Sequence, residues 1–261
     1  MNSQSPPRDS LHCWFRLAGI AGIIGALFWI AGDAMIIGAK AQLSDYPLLL
    51  QTYAGRIGFG ALDMMLPSSE ARLAAGALVA NVGIVFYLAG SWHLFRALRP
   101  AGPKLAWATF ILLMCGNAWS PLGHAAFYYV GMVYKTVLEV PEAAHGALLA
   151  LGEHFHRVLM IAWLLPVVTL GLALLLLAIA IARGGTLYPR WIALLFNPVT
   201  FLAIGIGVPH LLPQPLHTWF EGAGFNIGWL FVYGLSTALL WRGPATSAAE
   251  RQAGAPDFTS L

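Results

Sequence analysis

The sequence predicts an all-α fold, a polytopic bundle of six transmembrane helices with both termini in the cytoplasm. Three observations predict it. Of 261 residues, 59% are apolar and only 10% are charged, against about 25% charged in an ordinary soluble domain. Six segments are apolar and long enough to cross a hydrocarbon core of about 30 Å, which takes roughly 20 helical residues. No stretch alternates with the period of two that a membrane β-barrel requires. With 14 basic and 11 acidic side chains, the chain cannot clothe a soluble surface of this size. That excludes a water-soluble globular enzyme, a disordered chain and a nucleic-acid binder. Membrane lipids are the partner that the composition implies, and it leaves the oligomeric state open.

The spans are placed near 17–39, 73–95, 105–133, 147–182, 191–211 and 224–241, forming one domain over 17–242. The first apolar run exceeds the 7–15 residues of a signal-peptide core and contains Asp33, so it reads as a span. Residues 1–16 form a cytoplasmic tail, and 243–261 a second one, both rich in Pro, Ser, Gly and Ala. Ser68, Ser69 and Glu70 supply a cap and a first-turn acid for the second span. Pro141 and Glu142 open the long fourth segment and Gly184-Gly185 ends it. Its length leaves open whether its first turns lie in the bilayer or at the interface. Tyr188-Pro189-Arg190-Trp191 opens the fifth at an interface. The connection at 41–68 carries Tyr46, Leu49, Tyr53, Phe59, Met64 and Met65, a mixture expected of short helices on the outer membrane surface. It is either a surface-bound connector or a lid over a pocket.

Orientation follows from the basic residues. Nine (Arg8, Arg16, Arg96, Arg99, Lys104, Arg183, Arg190, Arg242 and Arg251) share the side of the termini, and five (Lys40, Arg56, Arg72, Lys135 and Arg157) lie opposite. The net charge of +3 therefore needs no anionic partner. Cys13 and Cys115 suggest neither a disulfide framework nor a metal motif.

Ionisable groups inside spans are functional-site candidates, because each costs several kcal/mol unless paired or wetted. At 1.5 Å per residue, Asp33, Asn81, His124, His154 and His156 fall roughly 9–13 Å below the outer ends of their segments. His210 and Asn226 sit above that layer. Asn117, Ser120, His124 and Tyr128 form one helical stripe, while Gly22, Ala26, Trp29 and Asp33 share a face of the first span. Asp33 and His124 are therefore the expected catalytic acid/base pair. Asn81, Tyr128, His154, His156, His210 and Asn226 are the expected substrate-binding groups. Asn117 and Asn197 read as interhelical glue, His93 as a residue near the cytoplasmic headgroups, and His145 as solvated. Pro121, Pro166 and Pro198 are expected to kink their spans and splay a cavity.

No metal or cofactor is assigned. Glu153 and His156 with His124 or Asp33 provide an unspecific metal set, and His124 with His154 or His156 an unsupported haem pair. The site suits isomerisation or cyclisation of a lipophilic, isoprenoid-like molecule, which needs an acid, a base and a dry pocket. The alternatives are a non-enzymatic binding or transport protein for a proton, a small cation or a small lipophilic molecule, and a structural subunit of a membrane complex.

Gly32-Asp33, Tyr188-Pro189-Arg190-Trp191, Asn197-Pro198, Gly224-Phe225-Asn226 and Ser236-Thr237 are motifs by which the chain resembles a family of uncharacterised six-helix bacterial membrane proteins. The resemblance implies a multi-pass protein of the bacterial cytoplasmic (inner) membrane and brings no activity with it.

Overall fold

Residues 8–241 are described by a computed structural model, and the expected tail at 243–261 lies outside them. Seven α-helices occur among the described residues, with no strand: α1 Arg8–Ile37, α2 Glu70–Leu98, α3 Pro103–Thr136, α4 Glu142–Arg183, α5 Pro198–His210, α6 Leu216–Phe220 and α7 Gly224–Leu239. Four of them (α1 from His12, α2, α3 and α4) are long and apolar enough to cross a membrane. By length and composition they mark a membrane protein. Helix α1 begins at Arg8, so half of the expected tail at 1–16 is helical.

Local chemistry explains the ends. Ser69 caps α2 by accepting the Arg72 amide hydrogen. Gly184 and Gly185 stop α4 at φ +84° and +80°, values that side-chain-bearing residues rarely adopt. The expected fifth span is instead a broken element. A 3-10 turn at Arg190–Leu194 precedes α5, and Asn197 caps α5 by accepting the amide hydrogens of Val199 and Thr200. Pro198 is thus the first residue of a helix and kinks nothing, and Asn197 is a cap and not interhelical glue. Pro121 and Pro166 remain inside continuous helices.

Helices α1 and α2 form one antiparallel hairpin and α3 and α4 another, with α2 on α3, α7 on α1 and α5 on α7. The α1–α2 seam is close because it is built from small residues. A Cβ on Gly90 would stand 2.6 Å from the Gly22 Cα. Helix α7 runs antiparallel to α1. Arg16 Nε donates to the Trp241 carbonyl at 2.7 Å, Gly22 faces the Tyr233 ring, and Gly222 faces Ile37. Residues 188–210 follow α7: Tyr188 reaches Ser236, Phe196 faces Phe231 and Gly205 lies against Gly224. The ring of helices closes at the end carrying the termini, where the 190–194 turn leans on α4. It is open at the other end, between α4 and α7.

Two apolar cores result. One fills the bundle around Trp29, Tyr87, Leu113, Leu174, Phe196 and Tyr233. The other lies at the open end, where the 41–68 connection packs Leu49, Phe59, Leu62 and Met65 against Val130 and Tyr134 of α3 and Leu149 of α4. That connection contains three short helical turns, at Leu48–Thr52, Ala54–Arg56 and Leu62–Met64. Lys135 Nζ pins it by donating to the carbonyls of Leu66 and Ser68, both at 2.8 Å. His145, expected to be solvated, is buried. It accepts the Tyr53 hydroxyl hydrogen and donates to the Val140 carbonyl, each at 3.0 Å.

Candidate functional site

A cavity of about 440 Å³ lies inside the open end of the bundle. Trp29, Asp33 and Ile36 of α1 form one wall, and Asn117, Ser120 and His124 of α3 another. Trp163 and Pro166 of α4 face Phe225, Asn226 and Trp229 of α7 across it. Ala61 and Met64 roof it from the 41–68 connection, beside Glu221 and Gly222. Trp163 lines the cavity and is still 42% exposed, which marks an opening on the α4 flank.

The polar groups of the wall are joined in a chain. The Tyr87 hydroxyl donates to Asn226 Oδ1 at 2.9 Å, and Asn226 Nδ2 donates to Asp33 Oδ2 at 2.8 Å. Asp33 Oδ1 stands 3.5 Å from His124 Nδ1. His124 Nε2 lies 3.4 Å from the Gly76 carbonyl oxygen, which only accepts, so the ring hydrogen belongs on Nε2. Nδ1 then meets a carboxyl oxygen. Attraction across that gap needs one further proton, held either on the carboxyl or on the imidazole. Asp33, His124 and Asn226 are all buried, so each lost hydrogen bond here leaves a polar group without water to replace it. Gly32 makes room for the histidine, since a Cβ there would lie 3.2 Å from His124 Nε2 and 2.7 Å from the Ala80 Cβ.

Three of the expected site residues, Asp33, His124 and Asn226, meet at this cavity; the others stand elsewhere. Asn81 is off the wall, with its Oδ1 buried and unpartnered. Tyr128 donates to Glu70 at 3.3 Å, a turn beyond the cavity along the Asn117–Ser120–His124 stripe. His154 is exposed. His156 lines a second pocket with Glu153 and Arg157. His210 is exposed, donates from Nδ1 to the Ile206 carbonyl at 2.8 Å and rests 4.9 Å from the His217 ring. The metal set of Glu153, His156 and His124 is therefore divided between two pockets. Among the described residues no three His, Cys, Asp or Glu side chains are grouped to hold an ion. For the haem pair, His154 is exposed and His156 lines the second pocket, so neither shares the cavity wall with His124.

Other residues belong to the site without having been expected there. Tyr87 completes the polar chain, and its only sequence signal is the i, i+4 spacing to Ser91, which donates to the Tyr87 carbonyl at 2.9 Å. Asn117 lines the cavity and also donates to Ser91 Oγ at 3.1 Å, so it is glue and wall at once. His93, expected near the headgroups, has its side chain buried in the core of the bundle. It donates from Nδ1 to the Phe15 carbonyl at 3.0 Å and accepts at Nε2 from Ser236 Oγ at 2.8 Å, while Tyr188 donates to Ser236 at 2.6 Å.

Fold and site together define an all-helical membrane protein with a carboxyl–imidazole pair in an apolar-walled cavity. The chain belongs to the family described as a family of unknown function (DUF6796), whose model matches residues 1–242. No curated protein and no solved structure matches the chain.

Proposed function

We propose that the protein crosses the bacterial cytoplasmic membrane six times, with both termini in the cytoplasm. In this reading it is an acid/base enzyme of isomerase or cyclase type, acting on a lipophilic, isoprenoid-like substrate that enters from the outer leaflet. The excess of Lys and Arg on the termini side supports the orientation. The six crossings draw support from 188–210, which follow α7, and from α7 and its flanking residues, which run beside α1 between Arg16 and Ile37, a rise of about 32 Å. That matches the hydrocarbon core.

One observation carries the catalytic reading: Asp33 and His124 face each other at 3.5 Å on the wall of a cavity with an opening on its flank. His124 is the proton shuttle, Asp33 the acid or the group that orients it, and Asn226 the group that fixes Asp33. Trp29, Trp163, Phe225 and Trp229 offer aromatic walls to a flat apolar molecule or a carbocation. Tyr128, Asn81, His154, His156 and His210 lie off this cavity, so we give them no part in the chemistry. The experiment is mild purification, mass spectrometry of the co-purifying lipids, and turnover of any retained isoprenoid. Asp33→Asn and His124→Ala are each expected to lower turnover by about 10²–10⁴-fold, and full turnover in both variants would overturn the reading.

A second reading is supported by the donor count at His124, which requires one proton to be shared with Asp33. A binding or transport protein would use that proton site without making product. Proton-coupled uptake into proteoliposomes that is lost in Asp33→Asn, with no chemical change in the retained lipid, would favour it.

A further inference from the structure

We propose that a second pocket, between the 41–68 connection and α4, binds a phosphoethanolamine headgroup, with Arg56, Arg157 and His156 on the phosphate and Glu153 on the ammonium. The pocket measures about 490 Å³ and is lined by Gly55–Gly58 on one side and by Leu149, Glu153, His156 and Arg157 on the other. It is separate from the Asp33 cavity. The Phe59 ring divides them, with its centroid 5.8 Å from Phe127 on the cavity side and 5.3 Å from His156 on this side.

The basic residues of this end of the bundle show why the pocket stands out. Arg72 donates to the Ala34 carbonyl at 2.9 Å, and Lys135 holds the carbonyls of Leu66 and Ser68. Those two cations hold the fold together. Arg56 and Arg157 instead converge on one pocket, and neither forms an ion pair among the described residues. Arg56 is held against the Tyr53 ring, 5.8 Å from its centroid. Two guanidinium forks presented together match phosphate oxygens, and the glycines at 55 and 58 leave the backbone open beside them. Glu153, one turn before Arg157, also forms no ion pair among the described residues. A plain phosphate would be repelled by that carboxylate, whereas a ligand carrying phosphate and ammonium satisfies all three charges.

The level of the pocket agrees with a headgroup. Gly152 lies against Tyr134 and Gly123 against Ala162, so Arg157 is level with Tyr128, which reaches Glu70 at the start of α2. From there to Arg183, α4 extends about 39 Å, a hydrocarbon core plus its margins. Phosphatidylethanolamine of the outer leaflet and soluble phosphoethanolamine present the same chemistry.

Native mass spectrometry of the full chain in detergent, titrated with phosphatidylethanolamine, phosphatidylglycerol and free phosphoethanolamine, tests this. Wild type is expected to retain phosphatidylethanolamine over phosphatidylglycerol. The exposed double variant Arg56→Gln/Arg157→Gln is expected to weaken that retention by about tenfold or more with an unchanged melting temperature. Glu153→Gln is expected to erase the preference while phosphatidylglycerol still binds. Displacement of the lipid by free phosphoethanolamine identifies a soluble ligand, and lipid retention without displacement identifies the membrane. Equal retention by the double variant, or no preference in wild type, overturns the proposal.

Discussion

At Asn226 a single amide holds two partners, which sets what its loss does. Asn226→Ala removes the donor to Asp33 Oδ2 and the acceptor of the Tyr87 hydroxyl, leaving that oxygen and that hydroxyl without a partner inside the bundle. Destabilisation of about 1–3 kcal/mol is expected, read from thermal unfolding in detergent, with Tyr87→Phe costing less because it leaves only one amide oxygen unmet. A double-mutant cycle between the two positions should show coupling. Asp33 and His124 were legible in the sequence, since an ionisable group amid apolar helix is conspicuous. Tyr87 was not, because a tyrosine in a membrane span signals an interface as readily as a buried hydrogen bond. The burial of His93 and His145 is not legible for a related reason: their partners, Phe15, Ser236, Tyr53 and Val140, are mostly remote in sequence or are backbone carbonyls, and no local pattern announces them.

Among the elements, α2, α3 and α4 extend past their expected spans, with Ser69 setting where α2 begins and Gly184 where α4 ends. The 188–210 stretch shows the limit of hydropathy. Most of it is apolar, yet Asn197-Pro198 divides it, because a proline after a cap-forming asparagine starts a helix more readily than it kinks one. The α1–α2 seam makes a prediction at this scale. Gly90→Val places a branched side chain against the Gly22 backbone and should cost about 1–3 kcal/mol or more through overpacking. Gly171→Ala, where an added Cβ meets nothing within 4 Å, should stay within about 1 kcal/mol of wild type. Unfolding of the purified variants compares the two.

Across the whole molecule, the two cores divide the labour. The bundle core joins helices that run side by side, and the second core seats the 41–68 connection as a roof whose Ala61 and Met64 reach the cavity. Cysteine labelling tests the proposed topology as a whole. In a cysteine-free background, Leu138→Cys and Gln214→Cys, both at exposed positions, are expected to react with a membrane-impermeant maleimide on intact cells. Cys13, restored alone and also exposed, is expected to react only after permeabilisation. Labelling of Gln214→Cys solely after permeabilisation would mean that α5 and α7 dip into the membrane without crossing it.

The sequence by itself determined the helical class, the long apolar helices and the identity of the one carboxylate that no interface excuses. These depend on composition and on periodicity along the chain, which are local properties. Only the tertiary structure decided that Asp33 faces His124, that Asn226 and Tyr87 complete the chain, and that His156 belongs with Arg157 in another pocket. The reason is geometric. A helix presents each side chain at an angle set by its own turn, but which angle meets a partner depends on how small residues such as Gly22, Gly32 and Gly90 let neighbouring helices approach.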